Sequence, residues 1–254
     1  MNFVMLFFRK QQFILNIQQF GNNNFIIITF WCNFVLSKKE ILTLNFNIMT
    51  KIITFIAILV CGLVSAQTNY ETGMAKGMQL WSEGKNTEAS ATFERIASAE
   101  SKEWLPNYYV ALINTLSSFQ TQDKEEIKSL LDKAQNALDV EFKKDSQNAE
   151  LLVVQGLIYT GWIVSDPMTN GMKYSGMANG VYAKAAKIAP ENPRVMFSKA
   201  EFEMGSAKYF GQDTAPMCEQ IAKSIPLFEN FQLETPFHPN WGLDRAKEVS
   251  ADCN

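Results

Sequence analysis

Histidine is almost missing: His238 stands alone among 254 residues, and no Cys-x-x-Cys pair or Cys/His cluster occurs. That removes the usual zinc and dithiol chemistries. There is no Gly-x-Ser-x-Gly elbow, so no nucleophile is marked out to partner His238. Residues 171–176, Gly-Met-Lys-Tyr-Ser-Gly, have the glycine spacing of a phosphate loop, but Met177 and Ala178 stand where Lys and Ser/Thr must reach phosphate and Mg²⁺. No enzyme, cofactor or metal is expected. Proline and glycine are few, at 8 and 13, charged residues are 19% and hydrophobic residues 47%, which excludes a disordered or collagen-like chain. Of 23 basic and 26 acidic residues, five and one fall in 1–66, which leaves 67–254 with 18 and 25 and a net charge of −7. Such a body lacks a phosphate-neutralising footprint, so nucleic acid is not an expected partner.

Long hydrophobic runs are also short of membrane-spanning length. Residues 49–66 place Lys51 before a 13-residue apolar run, Ile52–Val64, and end in Val64-Ser65-Ala66. That is the layout of a secretory signal peptide with Gln67 as the mature N-terminus, and the run falls below the ~20 residues a span needs. An exported protein, periplasmic or secreted, without a stable membrane span after cleavage is therefore expected. Val60 is bulky where a lipoprotein signal has a small residue before its cysteine, Cys61, so lipidation is not expected. Residues 1–48 are half Phe, Asn and Ile, residues with A/T-rich codons, and show no periodicity. They read as translated upstream sequence or a disordered leader, with Met49 as the start. The body, 67–254, keeps two cysteines, Cys218 and Cys253, a disulfide candidate in an oxidising compartment.

Strand signals are scarce after residue 67, whereas apolar residues at spacings of three and four recur: Met74, Met78, Trp81; Phe93, Ile96, Ala97; Ile127, Leu130, Leu131, Ala134, Leu138. Helix starts are marked by Thr68-x-x-Glu71 and Asp123-x-x-Glu126, by Asp166-Pro167, and by Asp213 or Thr214 before Pro216. The helices repeat. Ala134, Ala178 and Ala222 are each 44 residues apart, and Ala111, Gly156 and Ala200 are 45 and 44 apart. One unit of about 34 residues is followed by three of about 44. Small residues at 77, 111, 156 and 200 would let paired helices approach, with the aromatics at 93 and 182 filling the gap. Gly176 and Gly180 suit close helix packing, and Pro226 should kink or end its helix.

Gly77, Leu80, Gly84, Ala89 and Phe93, then Gly156, Tyr159, Ala178, Tyr182, Ala185 and Pro190, resemble the tetratricopeptide repeat over roughly 70–232. A 44-residue period also suits a HEAT-like pair, but the Ala-x-x-x-aromatic spacing selects the tetratricopeptide pattern. The chain resembles the small exported tetratricopeptide proteins of Bacteroidota, a group with no assigned chemistry. The resemblance implies an all-α solenoid of about four helix pairs. To this the sequence adds a C-terminal capping helix around Gly242–Ser250, with Leu243 and Ala246 turned inward.

The resemblance also implies a concave groove that binds a protein or peptide, lined here by Met74, Met78, Trp81, Tyr108, Leu112, Phe197 and Glu201. The alternative is a small-ligand or enzymatic protein that uses the long inner loops near 163–174 and 209–216, for which Asp166, Asn170, Lys173 and Tyr174 would have to converge in a pocket. Met74/Met78 and Met168/Met172 have the i, i+4 spacing of a packing stripe rather than of a Cu(I) site. His238, in Pro236-Phe-His-Pro-Asn-Trp241, is expected to be structural, with Phe237 and Trp241 over the final repeat.

Overall fold

The chain divides into two units, Met1–Asn69 and Tyr70–Asn254. A computed structural model describes residues 69–253, in effect the second unit; the leader, the signal-like segment 49–66, Gln67 and the Thr68 cap lie outside the described residues. Those residues form nine helices and no strand: α1 (69–82), α2 (Asn86–Ala99), α3 (Leu105–Ser118), α4 (Lys124–Phe142), α5 (Ala149–Ser165), α6 (Pro167–Ile188), α7 (Pro193–Tyr209), α8 (Ala215–Glu229) and α9 (Leu243–Ala251). The fold is all-α, as the periodicity requires. Consecutive helices pack on one another from α2 to α9, and α5 also touches α3 and α7.

Helix starts follow side-chain chemistry. Asp123 accepts from the backbone N–H groups of Glu125 and Glu126, while Glu126 turns its carboxylate to the Thr121 hydroxyl rather than back to the cap. Asp166 accepts from the Thr169 N–H, with Pro167 in the first turn of α6. Asn148 and Asn192, again 44 residues apart, cap α5 and α7 in the same way. Each cap satisfies N–H groups that have no partner within the helix and is worth ~1 kcal/mol.

The helix pairs meet where glycine faces an aromatic ring. A Cβ on Gly77 would lie 2.6 Å from the Phe93 ring, and one on Gly156 would lie 2.3 Å from the Tyr182 ring. Both rings are fully buried, and each also reaches the next pair: Phe93 stacks on Tyr109 at 5.1 Å, and Tyr182 meets Phe202 at 5.5 Å. Three expectations need correction. Gly176 and Gly180 face open space, with nothing within 4 Å of a built Cβ, because they stand on the exposed face of α6, off the face that carries Tyr174, Ala178 and Tyr182. Ala222 is exposed, and Ile221 and Ser224 take the inward positions of α8. Pro226 neither breaks α8 at once nor leaves it long: the helix stops at Glu229, and the Pro226 carbonyl accepts from Asn230.

The last pair is closed by α9. Ala246 and Val249 are buried with Phe197, Ala200, Met204 and Ile221, Leu243 is half-buried, and Asp244, Arg245, Lys247 and Glu248 are exposed. The predicted disulfide is present: Cys218 on α8 and Cys253 just beyond α9 are bonded, with Cα atoms 5.8 Å apart.

Candidate functional site

Seven residues were expected to line a groove. Met74, Tyr108, Leu112 and Phe197 instead belong to the core, each at most 1% exposed, so they cannot line a groove in this fold. Met78 and Trp81 are half-buried against the same core, and Glu201 accepts a hydrogen bond from Arg245 at 2.8 Å. The physical reason is cover: α8 and α9 close over Phe197, and a strap covers Tyr108 and its neighbours. The segment between α8 and α9 runs back over the α1–α3–α5–α7 helices instead of over the final repeat. The Phe237 carbonyl accepts from the Tyr109 hydroxyl at 2.8 Å, and the Trp241 indole N–H donates to the Tyr108 hydroxyl at 2.7 Å. The Phe237 ring meets Tyr70 edge-on at 6.3 Å. Burial, with Glu103 and Glu100 nearby, pushes the Tyr70 phenol up to about 12.

His238 is held within this strap. Its ring lies between Trp104 (6.2 Å) and Phe231 (5.7 Å), and Nδ1 is 3.8 Å from the Glu234 carboxylate. Beneath it Arg194, 1% exposed, donates through Nε and Nη2 to the Glu150 carboxylate at 2.7–2.9 Å and places its guanidinium 4.5 Å from the Phe231 ring centre. Burial holds the imidazole pKa below its usual value, and Arg194 adds to this, while Glu150 and Glu234 oppose it.

The residues of the inner-loop alternative do not converge. Asp166 is spent on the α6 cap, Asn170 donates to the Trp162 carbonyl at 2.8 Å, and Lys173 and Tyr174 bond to each other at 2.9 Å. What gathers there is apolar. Tyr174 stacks against Tyr159 at 5.7 Å and Trp162 at 6.0 Å, and Val164, Met168 and Met172 stand 59%, 86% and 97% exposed at the end of the α5–α6 hairpin. Because α3, α5 and α7 alternate with antiparallel partners, their C-terminal ends share one edge. Lys124, at the start of α4, lies 3.9 Å from Asp166 across that edge. Phe119 closes α3 there, and Tyr209 and Phe210 close α7, all exposed. Six of the ten exposed large hydrophobic residues among the described residues thus lie along one edge, too concentrated to be the scattered singles of an ordinary surface.

Among the described residues no three His, Cys, Asp or Glu could hold a metal ion, and no helix is long and apolar enough to cross a membrane. No protein-family model and no curated protein matches the chain. A solved structure does. The HusA haemophore from Porphyromonas gingivalis shares 22% identity at a TM-score of 0.58, over 72% of this chain and 91% of that one. The likeness is one of fold.

The strap and the apolar edge were both missed in the sequence. Phe231, Phe237 and Trp241 between two helices were a visible signal for the strap; the 44-residue register that sets Glu150 against Arg194 was another.

Proposed function

We propose that the chain is an exported binding protein with no chemistry of its own, built on tetratricopeptide-like helix pairs, that carries a flat apolar ligand of the porphyrin class on the edge formed by the α5–α6 hairpin. The observation that carries this is the stack of Tyr159, Tyr174 and Trp162 beside the exposed Met168 and Met172. Aromatic faces stack on flat rings, and unbranched thioethers adapt to their outline. Lys173, whose ammonium lies 4.5 Å from the Tyr174 ring centre, supplies a cation for a ligand carboxylate. The fold shared with a haemophore supports the ligand class, and the Cys218–Cys253 bond and the signal-like residues 49–66 support export. The sole histidine is buried in the strap, so contact with the macrocycle, not imidazole ligation, is what this edge offers.

Titration with haemin and with metal-free protoporphyrin, read by the Soret band and by tryptophan quenching, tests this. Saturable binding that M168S/M172S weakens about thirtyfold is expected, each methionine contributing ~1 kcal/mol of buried area. Absence of binding, or binding indifferent to that exposed pair, would sink the proposal. A protein partner is the alternative, favoured by the extension of the patch over three hairpin ends, Phe119, Met168 and Phe210. Affinity capture from an envelope extract, lost in M168S/M172S, would support it.

A further inference from the structure

At the opposite end of α5, some 25 Å from the apolar edge for a helix of that length, lies a cleft of about 790 Å³. The start of α5, the α6–α7 turn, the end of α8 and the strap enclose it. Asp145, Glu191 and Glu234 line it, with Glu150 deeper in its wall, and no Lys or Arg is among the lining residues. The remaining wall is largely apolar, with Trp104, Phe231, Leu227 and Pro190. We infer that this cleft recognises an alkylammonium or guanidinium group, its stem against the rings and its charge toward the carboxylates.

Acidic residues at a surface are by themselves an ordinary solvated cluster; two further features separate this cleft from one. His238 lines it while only 7% exposed, and among the described residues its imidazole has no hydrogen-bond partner, the Glu234 carboxylate standing 3.8 Å from Nδ1. A buried side chain with its hydrogen-bonding capacity unused is uncommon, and a ligand N–H would satisfy its neutral nitrogen. Behind the wall lies a cation of the chain itself, since the buried Arg194 is gripped between the Glu150 carboxylate and the Phe231 ring. That pairing of carboxylate and ring is the chemistry required for a second cation. An anion is disfavoured although α5 and α7 begin here, because Asn148 and Asn192 already take their first N–H groups. A bare metal ion is disfavoured because no three ligands converge.

The probes are n-butylguanidinium, n-butylammonium and the neutral n-butylurea, followed by calorimetry and by the NMR shifts of the Trp104 and His238 rings in the purified protein. The two cations should bind saturably, about tenfold or more tighter than butylurea. E191Q/E234Q changes only exposed side chains, so the fold is retained, and it should weaken the cations about fivefold while leaving butylurea unaffected. A blocked pentapeptide with one central Arg distinguishes the sources. Tighter binding than butylguanidinium identifies a side chain of a protein partner, and equal binding identifies a free organic cation. Cations that bind no better than butylurea, or equally well to E191Q/E234Q, overturn the inference. Porphyrin binding at the other edge is independent of either outcome.

Discussion

Trp241 and Tyr108 are 133 residues apart, yet the indole N–H of one donates to the hydroxyl of the other at 2.7 Å. The bond fixes the strap onto a phenol that is completely buried. W241F keeps an aromatic ring but leaves the Tyr108 hydroxyl without its donor. A loss of about 1–3 kcal/mol in urea unfolding is expected. Truncation before Thr235 removes the strap, α9 and the disulfide together, and should lower the Tm by several degrees and raise dye binding to exposed apolar surface. An unchanged Tm would show that the segment neither covers nor caps the body.

Gly156 and Gly176 are predicted to respond in opposite directions. A Cβ on Gly156 would sit 2.3 Å from the buried Tyr182 ring, so G156A must displace that ring and should cost about 1–3 kcal/mol. Gly176 is inside α6 with nothing within 4 Å of its Cβ position, so G176A should stabilise by up to about 1 kcal/mol through helix propensity. Urea midpoints of the two variants check both signs.

Local chemistry was legible in the sequence wherever neighbours in the chain determine it. The caps at Asp123 and Asp166, the helical period and the Gly156–Tyr182 contact across one helix pair are of this kind. The Cys218–Cys253 bond followed from an even pair in an exported body. What periodicity cannot reveal is whether a neighbour covers a stripe. Met74 and Met168 begin identical i, i+4 pairs, yet Met74 is fully buried and Met168 is 86% exposed, because the start of α6 meets α5 through Asn170 and Tyr174 and leaves the Met168 and Met172 face uncovered. Likewise Tyr108 and Leu112 on α3 were expected to line an open groove, and a turn-rich segment gives no sign that it will return over Tyr108 rather than over the last pair.

The Cys218–Cys253 bond closes a loop of 35 residues around α8, the strap and α9. C218S/C253S should destabilise by up to about 4 kcal/mol in the chain-entropy model. Ala246 and Val249 would lose their tether, so amide exchange should rise first in α9 and only later in α5. Equal protection in oxidised and thiol-free protein would show that packing alone holds the helix.

The strap should also respond to pH through His238. Trp104, Phe231, Glu234, Glu150 and Arg194 surround its imidazole, and burial lowers its pKa in the folded state. The unfolded chain therefore takes up the proton first, and stability depends on the neutral ring. That contribution is complete above the unfolded value of about 6.5 and is lost as pH falls through the folded value. Asp166, Glu83 and Glu219 also have lowered values, from capping or from lysine contacts, but they titrate near and below the usual carboxylate range and leave this window clear. Urea midpoints should therefore fall between about pH 7 and pH 5 in the wild type. H238N cannot titrate, so its midpoint should stay nearly flat over the same interval. A wild-type slope reproduced by H238N would assign the acid sensitivity to groups outside the strap.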